Sequence, residues 1–258
     1  MLLAVDVGNT QTVIGLLDGA QILDDWRIAT VRHRTGDEIA GLLVGFLAMH
    51  GEALRDVVTE VAVASVVPRL TTQWVEMSEK HLGLTPFVIG PGVRTGIKIL
   101  IKNPAEVGAD RIVNTVASFE TYGGPCIVVD FGTATTFDVV SAEGDYLGGV
   151  IAAGIEVSME ALTTRAARLT KVDLVEPEHV IGKSTVECLQ SGAVHGFAGQ
   201  VEGIITAIRG ELGVQARVVA TGGLAEMMAR HTPCISEVDP HLTLRGIEIV
   251  LRRQKPPR

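Results

Sequence analysis

Asp6-Val7-Gly8-Asn9-Thr10 and Asp130-Phe131-Gly132-Thr133 place an aspartate, a glycine and a hydroxyl-bearing residue in the same order, 124 residues apart. Each follows an apolar run, Leu2 to Val5 in one copy and Cys126 to Val129 in the other. Glycine lets backbone N–H groups approach anionic oxygens, hydroxyls add donors, and an aspartate at a strand end can hold a hydrated divalent cation. The chemistry such turns support is polyphosphate binding. An ordinary hairpin would account for either copy alone. Two copies favour two half-molecules that present like turns to one nucleotide in a cleft.

The elements that must position these residues follow from the patterning. Behind each turn lies a second β-rich run, Thr12 to Leu17 or Thr136 to Val140, that reaches an acidic-glycine pair, Asp18-Gly19 or Glu143-Gly144, as a hairpin would. In the first half the pattern predicts strands to about residue 28, a helix over 37–50 and a strand over 61–67. A helix from Pro68 to about 81 and a short strand over 86–89 follow. Strands alternating with helices are the α/β signature. Asn103-Pro104-Ala105-Glu106 carries helix-start chemistry, with Gly108 as a residue where the regular helix could be delayed; Gly123-Gly124 is its stop. Asp110 then lies near a helix N-terminus, where the dipole favours an ionised carboxylate. The second half predicts a third strand over 146–151, a helix over 157–167 and a loop around Glu176-Pro177-Glu178. Two helices come next, one from Ser184 and one over 196–212, then a strand over 217–220. Helices from Leu224 and over 242–253 complete it. The repeat divides the chain into domains 1–118 and 119–258.

Composition narrows the class. Lys and Arg number 22 against 30 Asp and Glu, for a net charge of −8, so a nucleic-acid surface is not expected. Apolar residues make up 47% and Gly 29 of 258, which suits filled cores and many tight turns. Cys126, Cys188 and Cys234 are odd in number and widely spaced, as in a reduced cytoplasm. Asp6 comes too early for a secretory signal, and no long uncharged apolar run points to a membrane. A soluble cytoplasmic protein with a solvated basic tail at 252–258 is expected. Gly182-Lys183-Ser184 is not a Walker A loop, because the glycine required five residues earlier is Pro177.

Together the two aspartate turns and Ala220-Thr221-Gly222-Gly223 resemble the actin, hexokinase and heat-shock ATPase superfamily. Within it, the chain resembles the type III pantothenate kinases over nearly its full length. The likeness rests on Pro91-Gly92-Val93-Arg94-Thr95-Gly96, Asn103-Pro104-Ala105-Glu106-Val107-Gly108-Ala109-Asp110-Arg111 and Gly182-Lys183-Ser184-Thr185-Val186-Glu187-Cys188. The resemblance implies two duplicated ribonuclease-H-like (actin-like ATPase) domains with a nucleotide cleft between them. It implies phosphorylation of pantothenate by Mg-ATP, a monovalent cation (K⁺ or NH₄⁺) and a homodimer. Asp6, Val7, Gly8, Asn9, Thr10, Gln11, Thr12 and Val13 would form the first ATP loop, with Asp6 organising Mg²⁺ through water. Thr133 would contact ATP and Asp130 would hold the monovalent cation. Asp110 would be the general base, with Gly108, Ala109, Arg111 and Thr185 also holding pantothenate.

The residues leave other roles open. Asp110 could cap its helix, Arg111 could form a surface ion pair, Thr185 could be a helix cap and Asp130 could serve structural hydrogen bonds. Ile101 stands where many members of the family carry tyrosine, so one polar contact is missing or replaced. A non-catalytic regulator and another phosphotransferase on the same scaffold are the competing functions; retention of Asp6, Asp110 and Asp130 argues against the first, and the segment from Gly108 to Arg111 against the second.

Overall fold

The computed structural model describes residues 1–49, 53–166, 169 and 172–255. Leu2–Val7 forms β1, buried at every position except Asp6, as a run of uninterrupted apolar residues in the middle of a sheet requires. β2 (Gln11–Asp18) returns antiparallel to it and β3 (Gln21–Ala29) antiparallel to β2, around Gly19 at φ +56°. α1 (Gly36–Ala48) starts at a reciprocal cap: Thr35 accepts from the Glu38 N–H while the Glu38 carboxylate accepts from the Thr35 N–H. A short α2 (Leu54–Val57) precedes β4 (Glu60–Ser65), which lies parallel to β1. α3 (Pro68–Met77) runs into a π-helical turn, Ser78–Leu82, and β5 (Phe87–Ile89) joins β4 in parallel. The first sheet has the order β3-β2-β1-β4-β5.

After α4 (Ala109–Tyr122) the plan repeats. β6 (Cys126–Phe131), β7 (Ala134–Val140) and β8 (Tyr146–Ala153) form the antiparallel set, and α5 (Ile155–Arg165) and α6 (Thr185–Leu212) follow. β9 (Arg217–Gly222) pairs parallel with β6, α7 (Ala225–His231) leads to β10 (Glu237–Val238), and α8 (Leu242–Arg252) closes the chain. The second sheet, β10-β9-β6-β7-β8, is the first read in reverse. Even the irregularities correspond: pairing shifts between Leu16 and Leu17 in β2 and between Val139 and Val140 in β7. Each pair lies three and four residues beyond the partner of the turn aspartate, Val13 or Thr136.

Contacts divide the chain into two units, Met1–Glu120 with His241–Arg258, and Thr121–Pro240. A single cut at 118/119 would leave 241–258 with the second half, whereas α8 packs on β1 and β4. Its apolar face, Leu242, Leu244, Ile247, Ile249 and Val250, is buried there; the Thr243 hydroxyl donates to Asn114 Oδ1 at 2.8 Å, and Arg253 pairs with Glu120 at 2.7 Å. An amphipathic stripe records that a helix has a core face, not which sheet it covers.

Other departures have local causes. The two helices expected from Ser184 and over 196–212 are one, α6, because Ser191, Ala193, Val194, Ala198, Val201 and Ile205 bury at continuous helical spacing. That packing outweighs the cost of about 1 kcal/mol for each interior glycine. Asn103 does not cap: its amide donates to Glu106 Oε1 at 2.7 Å, a 3-10 turn spans Pro104–Glu106, and the regular helix starts after Gly108. The strand expected to 67 ends at Ser65, and α2 and β10 carry no periodic signal long enough to register. The expected helix ends at residues 50 and 167, and residues 256–258 of the tail, lie outside the described residues.

Candidate functional site

Asp6 is half-buried near the end of β1, in register with Val13 on one side and Ala64 on the other. The chain then turns through Gly8, whose N–H donates to Gln11 O at 3.0 Å. A Cβ on Gly8 would lie 2.9 Å from that oxygen, so a side chain there must deform the turn. Asn9, Thr10 and Gln11 are exposed, whereas Val7 and Thr12 are buried and Val13 partly so. The Thr12 hydroxyl meets that of Thr30 at 2.9 Å, and Arg27 donates to Gln11 Oε1 at 3.2 Å. Thr30 also donates its N–H to Thr10 O at 2.9 Å and its hydroxyl to Gly8 O at 2.8 Å. Nothing in the spacing of Thr30 marks it from sequence; only the return of β3 beside the turn does.

The second turn is tighter. Asp130 is in register with Thr136 and Thr221, and the Gly132 N–H donates to Ala134 O at 3.1 Å. Thr133 is exposed, and its carbonyl accepts from the Gly154 N–H at 3.1 Å. Gly222, at φ +92°, leaves room beside the aspartate: a Cβ there would stand 2.5 Å from Asp130 Oδ1. A carboxylate oxygen of this kind is a ligand that suits a hard cation. Among the described residues, no three or more His, Cys, Asp or Glu side chains gather as a metal cluster.

Asp110 is the second residue of α4, and its Oδ1 accepts from the Arg111 N–H at 2.8 Å. A Cβ on Gly108 would collide with that same oxygen and approach Val66 Cγ1 at 3.4 Å, so only glycine lets the carboxylate fold back where it does. Burial pushes the Asp110 carboxyl above the usual carboxylate range, against the lowering by the Arg111 N–H and guanidinium. The helix-terminal field expected to favour ionisation is thus outweighed by desolvation. A carboxylate whose proton affinity is raised by burial is a better proton acceptor than an ordinary surface aspartate.

Val66 ties this segment to the first turn, since its N–H donates to Val7 O at 3.0 Å while its side chain faces Gly108. The structure therefore brings the first turn and the segment from Gly108 to Arg111 to one end of β1 and β4. Ala109 is buried and Arg111 half-buried, its carbonyl accepting from the Thr115 hydroxyl at 2.9 Å. Thr185 stands on a different element, exposed at the start of α6. Its alternative role as a cap belongs to Ser184, whose hydroxyl accepts from the Glu187 N–H at 3.2 Å. The Lys183 N–H donates to Glu187 Oε2 at 2.7 Å, closing the loop before the helix. Gly154 escaped the sequence reading; its signal is a glycine between a strand and a helix at the level of the turn.

The profile of the family described as type III pantothenate kinase matches residues 2–207. A type III pantothenate kinase of Moorella thermoacetica is 54% identical over 253 residues, covering 98% of this chain and 99% of its own. Another, of Streptomyces avermitilis, is 52% identical over 260 residues, covering 98% of each. Among solved structures, the activator of the 2-hydroxyisocaproyl-CoA dehydratase from Clostridium difficile with bound ADPNP aligns with a TM-score of 0.57 at 13% identity, over 100% of this chain and 98% of that one. At that identity the likeness is one of fold.

Proposed function

This chain belongs to the type III pantothenate kinase family, and from that premise we propose that it transfers the γ-phosphoryl group of Mg-ATP to the 4′-hydroxyl of pantothenate, with Asp110 as the general base. The products are 4′-phosphopantothenate and ADP, in the first step of coenzyme A biosynthesis. The fold is of the matching kind, two duplicated α/β halves of the actin-like ATPase type. The observation that carries the role of Asp110 is its place: a partly buried carboxylate at the start of α4, folded against Gly108 and linked through Val66 to the end of β1.

Phosphoryl transfer asks the protein for alignment and charge compensation more than for covalent chemistry. Asp110 accepts the proton of the 4′-hydroxyl as its oxygen attacks the γ-phosphorus and the bond to ADP breaks. Gly108 and Ala109 bring backbone close to pantothenate, Arg111 offers a planar fork to its carboxylate, and Thr185 adds a hydroxyl. The residues from Asp6 to Val13 cradle the phosphates. Within that segment Asn9, Thr10 and Gln11 supply the exposed groups, Val7, Thr12 and Val13 hold the shape, and Asp6 would hold the Mg²⁺ of Mg-ATP through water. Thr133 contacts ATP from its own turn.

The Asp130 carboxylate and the room kept beside it by Gly222 fit a monovalent cation, K⁺ or NH₄⁺. Such an ion would offset phosphate charge where the turns carry no lysine. Exposed Ile151, Val157, Leu162 and Val186 in the second unit support a homodimer, and three free cysteines support a cytoplasmic protein. No helix among the described residues is long and apolar enough to cross a membrane. The test is ADP release from Mg-ATP with and without pantothenate, in K⁺ and then Na⁺ buffer. Pantothenate-dependent release that is faster in K⁺ is expected; release indifferent to pantothenate overturns the acceptor, and release indifferent to K⁺ overturns the cation.

A further inference from the structure

Thr30 makes three hydrogen bonds at one point of the first turn, and together they set the direction of two peptide planes. Its single hydroxyl proton goes to Gly8 O at 2.8 Å, so the Thr12 hydroxyl, 2.9 Å away, must be the donor to Thr30. Its N–H holds Thr10 O at 2.9 Å. The only cis peptide bond among the described residues is Gly124-Pro125, so the peptides from Gly8 to Asn9 and from Thr10 to Gln11 are trans. In a planar trans peptide the carbonyl and the following N–H point in opposite directions. Holding the carbonyls of Gly8 and Thr10 on Thr30 therefore aims the N–H groups of Asn9 and Gln11 away from it. Both belong to residues exposed in the turn.

We infer that Thr30 is a positioning residue for ATP: through Gly8 and Thr10 it presets the Asn9 and Gln11 N–H groups as phosphate donors before nucleotide arrives. The inference rests on the first turn being the ATP loop. Donors already oriented lose less entropy on binding and lower the cost of capturing a polyanion. Thr12 is a second layer, holding the Thr30 hydroxyl in the rotation that faces Gly8. Neither Thr30 nor Thr12 needs to touch nucleotide for this.

The experiment measures Mg-ATP and pantothenate binding separately, by titration calorimetry, for the full chain and for Gly8→Ala, Thr30→Val, Thr30→Ser and Thr12→Val. Thr30→Val keeps the branched shape and the backbone N–H but removes both side-chain hydrogen bonds. It is expected to weaken Mg-ATP binding about 5- to 50-fold and to leave pantothenate within about 2-fold. Thr30→Ser, which restores the hydroxyl, returns Mg-ATP affinity to within about 3-fold of the parent. Thr12→Val loses about 2- to 5-fold and carries the same test if Thr30→Val does not fold. A Gly8→Ala variant that binds Mg-ATP normally sinks the assignment of the turn to ATP. Weakening by Gly8→Ala with parental affinity in Thr30→Val and Thr12→Val sinks the inference about Thr30 alone. Equal losses for ATP and pantothenate in Thr30→Val, or no recovery in Thr30→Ser, also overturn it by reducing Thr30 to a general structural role.

Discussion

The two aspartate turns share a backbone plan and differ in how they are braced. Thr30 and Gly154 each follow the last residue of a third strand, Ala29 or Ala153, and each donates its N–H into the turn, to Thr10 O or Thr133 O. The first turn passes through Gly8, Asn9 and Thr10, the second only through Gly132 and Thr133. That one residue decides which side chain fits the bracing position. Thr30 has space for a side chain that bonds Gly8 and Thr12, whereas a Cβ on Gly154 would strike the carbonyls of both Gly132 and Thr133. Thr12 and Thr135 occupy the same place behind their turns and are both buried, at 2% and 1% exposed, yet only the Thr12 hydroxyl has a partner; that of Thr135 takes no hydrogen bond. Duplication preserved the strands and their irregularities, and the length of one turn divided the chemistry that side chains can do behind them.

The largest expected effect separates the turns from Asp110, the proposed base. Asp110→Asn should lower turnover by about 10²- to 10⁴-fold with Mg-ATP affinity kept, as single-turnover and binding measurements would read. In the parent, kcat/KM should fall on the acid side with a midpoint above the usual carboxylate range. Because the folded chain holds the Asp110 proton more tightly than the unfolded chain, ionising it costs stability as pH rises through the folded pKa. Asp110→Asn is then the more stable protein at neutral pH in urea unfolding, and its advantage vanishes below the unfolded carboxylate pKa.

Next in size is Gly154→Ala, which forces a methyl onto two carbonyls and should cost about 1–3 kcal/mol in urea unfolding. Thr30→Ala at the equivalent position only deletes hydrogen bonds and should cost about 1 kcal/mol. Equal costs would mean the two turns are braced alike and would break the comparison. The smallest effect is the most discriminating because its sign changes. Thr12→Val strips a paired hydroxyl and should destabilise by about 1 kcal/mol, whereas Thr135→Val replaces an unpartnered buried hydroxyl and should be neutral or stabilising by up to about 1 kcal/mol. Destabilisation of the same size by both substitutions would show that the second turn satisfies Thr135 after all.

Much of this was legible before the structure. The aspartates, their glycines and the apolar runs behind them announce two hairpins, because strand patterning and turn chemistry are local and a repeat of both is hard to obtain otherwise. The place of Asp110 at a helix start was legible for the same reason; its shifted carboxyl was not, since burial depends on what packs over it. Gly108 was readable as a close approach, but that the approaching atom is the Asp110 carboxylate depends on how the segment folds back on itself. The join of two expected helices into α6 and the return of α8 to β1 and β4 were hidden because a periodic stripe names no partner.

By its order of residues alone, the chain determined its α/β class, its duplicated strands, its phosphate-suited turns and its family resemblance, all of which depend on neighbours within a few positions. Only the tertiary structure decided that Thr30 reaches Gly8 across 22 residues, that Gly154 must stay bare and that Asp110 is desolvated. Those outcomes depend on which groups meet after the strands pair and the helices pack, and distance along the chain carries no record of that.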